Sequence, residues 1–313
     1  MGKTVYQVVL ALILLVSTSA SYNESHAIEL AHIAGATYCH PEQLTNMTCG
    51  GQCSYLKPRG WSTFFSAIFP NAGTTLEYSL FVNTQTSDIV VSFRGTTDSV
   101  QLMWEILLFQ GVHYKLQSLP NNPLVEDYFY SAYRDVLRSS MQDQLKKARA
   151  LYPNYQVSFT GHSLGAALTA IAATDAVYSG IVEKGKVLVY TFGSPRVGNP
   201  DFNAAFTGAM KEVYRLVHHK DLVPHVPPCI PNLSGDCIKS GFGELLWFPY
   251  HYGNQVFYDS PDGNPGTQRY CDEEDSTCQN KYSLITADIS DHGHYVGIRV
   301  GCNGNGPFTD IPL

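Results

Sequence analysis

The 313-residue sequence is poor in basic side chains, with 20 Lys and Arg against 27 Asp and Glu and a formal net charge of −7 at pH 7. This acidity argues against a polyanion such as nucleic acid as a partner. The sequence also lacks a tandem repeat, a low-complexity linker or a charge run that would divide it. We therefore expect one large domain with a substantial core.

The sequence also lacks an apolar run long enough to span a bilayer, which takes about 20 residues. Val8–Val16 is unbroken but has only nine apolar residues, with the positive Lys3 before it and the small residues Thr18 and Ala20 after it. This pattern is typical of a signal peptide. We expect residues 1–20 to be removed, and residues 21–313 to form a single secreted domain without a transmembrane segment.

No odd cysteine is left over, because the sequence has eight cysteines and all follow the predicted signal. In an oxidising compartment an even number predicts disulfides, although eight cysteines allow 105 pairings. The short spacing of Cys49 and Cys53 suggests a local bridge. A zinc site formed by Cys39, Cys49, Cys53 and His40 is the alternative, but secretion disfavours it, and we expect no metal. Three N-x-[ST] sequons, a further secretory feature, begin at Asn23, Asn46 and Asn232.

A catalytic motif lies within Tyr155–Ala173, which reads YQVSFTGHSLGAALTAIAA. Its first six residues have the alternation of a buried strand, and its last ten are rich in Ala and Leu, as helices are. The strand therefore runs into the helix through Gly161–Gly165, with the G-x-S-x-G spacing of a nucleophile elbow. Such a turn presents the hydroxyl of its serine, here Ser163, at the top of the sheet, and the helix N-terminus directs free amides toward a developing oxyanion.

Strands and helices alternate along the chain. Strand patterns lie at 76–82, 89–93, 155–160, 186–192, 213–217 and 254–258, and helical patterns lie at 24–36, 124–151, 164–173 and near 202–210. This alternation predicts an α/β fold with a mostly parallel sheet. Leu124 and Leu151 are expected in the core, and the acidic run Asp272–Asp275 is expected to be a solvated turn.

A serine at its ordinary pKa is a weak nucleophile and needs a histidine base and a carboxylate that orients it. In such folds the acid and then the histidine follow the serine in sequence. Asp221 stands at the C-terminal end of a predicted strand. Asp201 has the position of a helix cap, and Asp236 lies within the Cys229–Cys237 loop, so we expect Asp221 to be the acid.

The residues alone leave the base open among His251, His292 and His294. His292 and His294 lie in one loop, Asp291–Tyr295, ahead of an apolar run. Either one could reach over the elbow, so the residues alone hardly separate them.

An apolar segment, Val100–Phe109, has polar side chains only at Gln101 and Glu105. With Asp98 these residues would form one narrow polar stripe on a helix. Composition favours a core helix. The segment directly follows a strand end at which Thr96 is a candidate oxyanion donor, and this place favours a lid that faces lipid. The expected lipid-contacting residues are Val100, Leu102, Met103, Trp104, Ile106, Leu107, Leu108 and Phe109.

Four sequence blocks, in this order, carry a family resemblance: Val91–Thr96, Thr160–Gly165, Thr191–Asn199 and Asp221–Pro224. They resemble the class 3 lipases, the fungal-type triacylglycerol lipase family that also contains feruloyl esterases and phospholipases A1. The similarity covers nearly all of the mature chain. It implies an α/β-hydrolase fold, a mostly parallel central sheet flanked by helices, with a short helical lid.

The resemblance also implies roles for individual residues. Ser163 is the nucleophile, Asp221 is the orienting acid, and the backbone amides of Thr96 and Leu164 form the oxyanion hole. The histidine of the family stands three residues before a Tyr-Phe-Gly-like triplet. Because that triplet corresponds to Tyr295–Gly297, the base is His292, and His294 falls at a variable position.

The resemblance further implies the disulfides Cys39–Cys302 and Cys49–Cys53, which leaves Cys229–Cys237 and Cys271–Cys278 as local pairs. Two departures from the family pattern matter little to the chemistry. Ala166 replaces the usual second glycine after the elbow, and Val296 replaces the usual phenylalanine.

The sequence therefore predicts a secreted, monomeric serine ester hydrolase that needs no cofactor. A triacylglycerol lipase acting at an oil–water or membrane interface is the first expectation. The alternatives are a phospholipase A1 and a feruloyl-type aryl esterase. A catalytically silent lipid-binding homologue is a further alternative, against which the complete set of Ser, Asp and His argues.

Overall fold

The computed structural model describes residues 22–71, 74–97, 113–233, 237–239 and 249–304. The predicted signal peptide at residues 1–20 and the predicted lid at Val100–Phe109 lie outside these ranges.

A single eight-stranded sheet forms the centre of the described structure. Two small two-stranded sheets, β4 with β5 and β11 with β12, accompany it. The twelve strands of the described residues are β1 (Trp61–Asn71), β2 (Thr74–Asn83), β3 (Asp88–Phe93), β4 (His113–Lys115), β5 (Leu124–Glu126), β6 (Gln156–His162), β7 (Val187–Phe192), β8 (Glu212–His218), β9 (Asn254–Tyr258), β10 (Gln268–Cys271), β11 (His294–Tyr295) and β12 (Ile298–Arg299). The large sheet has the order β1-β2-β3-β6-β7-β8-β9-β10. Strands β3, β6, β7, β8 and β9 pair in parallel, whereas β1 with β2, β2 with β3 and β9 with β10 pair antiparallel, so β1 and β10 are the edges.

Helices cover both faces of this sheet. They are α1 (Glu24–Ala36), α2 (Pro41–Thr45), α3 (Gly50–Leu56), α4 (Asp127–Ser131), α5 (Arg138–Leu151), α6 (Leu164–Tyr178) and α7 (Pro200–Thr207), with a π-helical turn at Ala132–Leu137 between α4 and α5. The side chains of β7 alternate between the two faces. Val187 and Val189 pack in the cluster that contains α5, α6 and α7, whereas Tyr190 and Phe192 pack in the cluster that contains α1. The predicted α/β fold is confirmed.

Most regular elements lie where the sequence pattern places them, and α1 and β9 have the predicted bounds. Three differences have physical causes. The predicted helix at 124–151 begins as strand β5, because those residues pair with β4. Leu151, expected in the core, is 66% exposed at the last position of its helix. Strand β1 escaped detection because a bulge between Thr63 and Phe65 breaks its alternation.

The eight cysteines form four disulfides, and these are the pairs implied by the family resemblance: Cys39–Cys302, Cys49–Cys53, Cys229–Cys237 and Cys271–Cys278. Cys39–Cys302 joins the end of α1 to the C-terminal region across a sequence separation of 263 residues. The other three bridge separations of 4, 8 and 7 residues. Cys39–Cys302 is therefore the disulfide that restricts the unfolded chain most.

Removing the long-range disulfide should cost more stability than removing a local one. In the chain-entropy model, Cys39→Ala with Cys302→Ala lowers the free energy of unfolding by about 5.5 kcal/mol, and Cys49→Ala with Cys53→Ala lowers it by about 2 kcal/mol. Urea denaturation of the two double variants measures the difference. Equal losses would show that chain entropy does not set the contribution of these disulfides.

Candidate active site

Ser163 lies between the end of β6 and the first residue of α6, with φ 61° and ψ −131°. A positive φ is rare for a residue with a side chain and marks a strained turn. The amide of Ser163 donates to the carbonyl of Phe192 at 3.0 Å, which ties the turn to β7. Its Oγ is buried and has no hydrogen-bond partner among the described residues. The hydroxyl is therefore held in place with its hydrogen-bonding capacity unused.

Two glycines allow this turn to form. A Cβ on Gly161 would collide with the backbone of Gly165, and a Cβ on Gly165 would collide with the carbonyl of Phe93 at the end of β3. Neither glycine has a positive φ, so the requirement is the close approach of backbones rather than an unusual conformation. The G-x-S-x-G spacing thus records how closely α6 packs against β6 and β3.

Asp221 and His292 meet beside the elbow. Asp221 follows the end of β8, and His292 lies in a 3₁₀ turn at Ser290–Gly293. The Nδ1 of His292 is 2.8 Å from Oδ2 of Asp221, and both side chains are fully buried. A Cβ on Gly193, in the loop after β7, would lie 2.7 Å from Cε1 of His292, so this loop forms one wall of the imidazole site.

The other two candidate histidines lie elsewhere. His294 is half-buried on β11, and its ring centroid is 6.4 Å from that of His218. Because successive strand residues face opposite ways, His294 points away when Tyr295 points to Asp221. His251 is buried with Nε2 2.7 Å from the carbonyl oxygen of Pro224. Of the three, the structure brings His292 to the carboxylate.

The Asp221 carboxylate receives donors at both oxygens. The hydroxyl of Tyr295 donates to Oδ2, and the amide of Val223 donates to Oδ1 at 2.9 Å. Burial alone would raise the pKa of Asp221, but the adjacent His292 and these hydrogen bonds hold it below its ordinary value. Asp221 therefore stays ionised and accepts a hydrogen bond from Nδ1–H of His292, which leaves Nε2 as the basic nitrogen.

Leu164 and the loop that carries Thr96 both lie beside the serine. Leu164 opens α6, where an amide has no partner within the helix. Arg94, two residues before Thr96, is anchored to β2 because its amide donates to the carbonyl of Glu77 and its guanidinium pairs with that carboxylate at 2.8 Å. A Cβ on the intervening Gly95 would lie 3.0 Å from Cβ of Ser163. The loop that carries Thr96 therefore packs directly against the elbow.

A buried ion pair supports the loop after Asp221, and the sequence did not predict it. The expected solvated turn at Asp272–Asp275 is wrong for Glu274, which is buried and bound by Nε and Nη2 of Arg196 at 2.8 Å each. Burial alone would raise the pKa of Glu274, but the Arg196 charge holds it well below its ordinary value. Nη1 of Arg196 also donates to the carbonyls of His225 and Pro227. Arg196 thereby fixes the chain that follows Asp221.

Sequence reasoning also missed Tyr38, His162 and Tyr295. His162 lies beside the serine inside the elbow motif, and Tyr295 begins the triplet used to place the base, so both had a local signal. Tyr38 had none, because it contacts His162 across 124 residues of sequence. In addition, Asp201 was expected to cap a helix, but the cap of α7 is Asn199, whose side chain accepts from the amide of Phe202.

Two clusters combine cysteine sulfurs with a carboxylate, namely Cys229 and Cys237 with Glu274, and Cys271 and Cys278 with Asp275. In each cluster both sulfurs belong to a disulfide, so neither offers a thiolate ligand. Glu274 is also occupied by Arg196.

Comparisons with known proteins agree with the fold and the motif. The model of a family described as class 3 lipase matches residues 90–230. A lipase of Caenorhabditis elegans is 30% identical over 320 residues, which cover 94% of this chain and 86% of the relative. A phospholipase A1 of Oryza sativa is 34% identical over 155 residues, covering 45% of this chain and 39% of the relative. The solved structure of lipase II from Rhizopus niveus superposes with a TM-score of 0.72 at 23% identity, covering 90% of this chain and 97% of that one.

Replacing Tyr295 by Phe tests the hydrogen bond to the Asp221 carboxylate. A bond to a charged group contributes about 1.5–3 kcal/mol, so Tyr295→Phe should lower the free energy of unfolding by that amount at pH 7. Because the folded pKa of Asp221 lies below its unfolded value, the stability from this ionised carboxylate is present above about pH 4 and is lost as the pH falls through the folded pKa. The cost of Tyr295→Phe should therefore shrink below about pH 4.

Tyr78→Phe is the matched control, because the Tyr78 hydroxyl bonds the neutral hydroxyl of Ser140 at 2.7 Å. Its cost, about 1 kcal/mol, should not change between pH 3 and pH 7. Urea titrations at several pH values measure both costs. A cost for Tyr295→Phe that stays constant down to the lowest pH at which the protein remains folded would contradict the assignment.

Proposed function

Because the chain belongs to the class 3 lipase family, we propose that it is a secreted triacylglycerol lipase that releases fatty acids from acylglycerols by an acyl-enzyme mechanism. Family membership makes the chain a carboxylic ester hydrolase. The observation that carries the proposal is the buried contact of 2.8 Å between His292 and Asp221 beside a serine held at positive φ.

The proposed reaction begins when Oγ of Ser163 attacks the ester carbonyl while Nε2 of His292 takes the hydroxyl proton. Asp221 fixes the imidazole through Nδ1 and stabilises the imidazolium that forms. The backbone amides of Thr96 and Leu164 hold the oxyanion of the tetrahedral intermediate. His292 then gives its proton to the departing glycerol oxygen, which leaves the fatty acyl group on Ser163.

Hydrolysis of this acyl-enzyme repeats the steps with water. Nε2 of His292 takes a proton from the water molecule that attacks the acyl carbonyl. When the second tetrahedral intermediate collapses, the proton returns to Oγ of Ser163 and the fatty acid leaves. The fixed tautomer of His292 serves both halves of the reaction, since Nε2 accepts and returns the proton each time.

The proposed substrate class rests on the apolar segment Val100–Phe109, which would act as a lid that opens at a lipid surface. Among the residues that the structure describes, no helix has the length and apolarity needed to cross a membrane. We propose that the enzyme acts as a monomer and reaches its substrate by adsorbing to an oil–water or membrane interface.

The proposed secretion is supported by the predicted signal peptide and by four disulfides. The sequon residues Asn23, Asn46 and Asn232 are all exposed, as glycosylation requires. Asn23 also caps α1, because its Oδ1 accepts from the amide of His26 at 3.1 Å. A glycan on Nδ2 would leave this bond intact.

Paired histidine variants test the proposed base. His292→Ala should lower kcat for p-nitrophenyl butyrate by at least about 10³-fold, as should Ser163→Ala, because each removes a member of one catalytic unit. His294→Ala, two residues away, should stay within about threefold of wild type, because its side chain points to the opposite side of β11 from Tyr295 and Asp221. Retained activity in His292→Ala together with loss in His294→Ala would reverse the assignment.

Substrate assays test the proposed class. With Ser163→Ala as the blank, the enzyme should hydrolyse emulsified triolein faster than phosphatidylcholine vesicles or methyl ferulate. With tributyrin, the rate should rise as the substrate passes its solubility limit, because the lid opens at an interface. Preference for phosphatidylcholine would favour a phospholipase A1, and preference for methyl ferulate would favour an aryl esterase. A rate that stays flat across the solubility limit would argue against the lid.

A further inference from the structure

His162, the residue before Ser163, is bound at both ring nitrogens. Nδ1 lies 2.8 Å from the hydroxyl oxygen of Tyr38, and Nε2 lies 2.7 Å from the backbone carbonyl oxygen of His292. The His162 side chain is fully buried. The elbow is thereby connected to the main chain of the proposed base, 130 residues further along the sequence.

The chemistry of the partners fixes the direction of each hydrogen bond. A carbonyl oxygen only accepts, so Nε2 of His162 carries a hydrogen and donates to His292. Burial and then the neighbouring His292 lower the pKa of His162 to about 3, so the ring is neutral and Nδ1 is an acceptor. The hydroxyl of Tyr38 must therefore donate to Nδ1. Burial raises the pKa of Tyr38, so this hydroxyl keeps its proton.

The same tyrosine reaches the oxyanion loop. The Tyr38 hydroxyl packs against Gly95, the residue before Thr96, because a Cβ on Gly95 would collide with it. Two hydrogen bonds in series thus run from Tyr38, beside the oxyanion loop, through His162 to the carbonyl of His292. The contact and the two bonds join three segments, each of which carries one part of the proposed catalytic machinery.

The ring of His162 also packs against that of His292, with centroids 4.3 Å apart and planes tilted by 33°. The other titratable groups that face His162 are Asp221 and the hydroxyls of Tyr38 and Tyr295. His292 becomes positively charged in each half of the proposed reaction. A neutral neighbour at this distance supports its ring without adding a second positive charge.

We propose that Tyr38 and His162 are positioning residues for His292: the Tyr38 hydroxyl holds His162 in its Nε2–H tautomer, and His162 in turn fixes the His292 backbone and ring. The inference rests on the proposed function, since His292 is the base there. Neither residue takes part in proton transfer. Their effect is to hold His292 and the loop before Thr96 in one arrangement.

Nitrogen-15 NMR of the wild-type protein with labelled histidine tests the tautomer without reference to activity. The His162 resonances are identified by their absence in His162→Gln. Between pH 5 and pH 8 they should not titrate, and the proton should reside on Nε2. A proton on Nδ1, or titration of His162 within this range, would overturn the proposal.

Steady-state kinetics of Tyr38→Phe test the consequence for the reaction. Phe keeps the ring but removes the donor to Nδ1, so kcat for p-nitrophenyl butyrate should fall by roughly tenfold with KM unchanged. Tyr78→Phe, which loses a hydroxyl bond to Ser140 that is not part of the series through His162, should keep wild-type kcat at a similar loss of thermal stability. A kcat of Tyr38→Phe equal to that of Tyr78→Phe would contradict the proposal.

The NMR test and the kinetic test can each decide the proposal without the other. If Tyr38→Phe fails to fold, the tautomer of wild-type His162 alone confirms or overturns the inference. Full activity in Ser163→Ala would instead refute the proposed function. The positioning role of Tyr38 and His162 makes no prediction about that variant.

Discussion

The backbone of Ser163 is the constraint on which the rest of the site depends. A residue at φ 61° stores strain of about 1–3 kcal/mol and persists only when its surroundings over-determine it. Here Gly161 packs on Gly165, Gly165 packs on the carbonyl of Phe93, and the Ser163 amide is bound by Phe192. Three adjacent parallel strands therefore hold the turn. Because the oxyanion loop leaves β3 at Phe93, the packing that strains the serine also sets the place of its candidate oxyanion donors.

The proposed acid and base depend on a second constraint, the burial of charge. An ionised carboxylate without donors would be costly in the fully buried position of Asp221. The donors supplied by His292, Tyr295 and Val223 offset this cost and orient the imidazole at the same time. Further along the chain, the buried pair of Arg196 and Glu274 holds the segment after Asp221. Structural and catalytic requirements thus fall on the same hydrogen bonds.

Much of the fold follows from local pattern, because strand alternation, helix composition and the elbow spacing are properties of short segments. This accounts for α1, β9 and the strand-turn-helix around Ser163. What local pattern missed depends on contacts between distant segments. The sequence around Glu274 predicts a solvated acid, because its partner Arg196 lies 78 residues away in the chain. His292 and His294 are nearly equivalent as sequence, and the short strand β11 separates them by facing Tyr295 toward Asp221 and His294 away from it.

The central claim is that the elbow, the pair of His292 and Asp221 and the two backbone amides converge on one reacting atom. A crystal structure of the enzyme inactivated by an alkyl phosphonate tests this most directly, because the bound phosphorus mimics the tetrahedral intermediate. The account predicts a covalent bond from phosphorus to Oγ of Ser163. It also predicts that one phosphonyl oxygen lies about 2.7–3.1 Å from the amide nitrogens of both Thr96 and Leu164. A phosphonate attached to another residue, or an oxygen directed away from both amides, would contradict it.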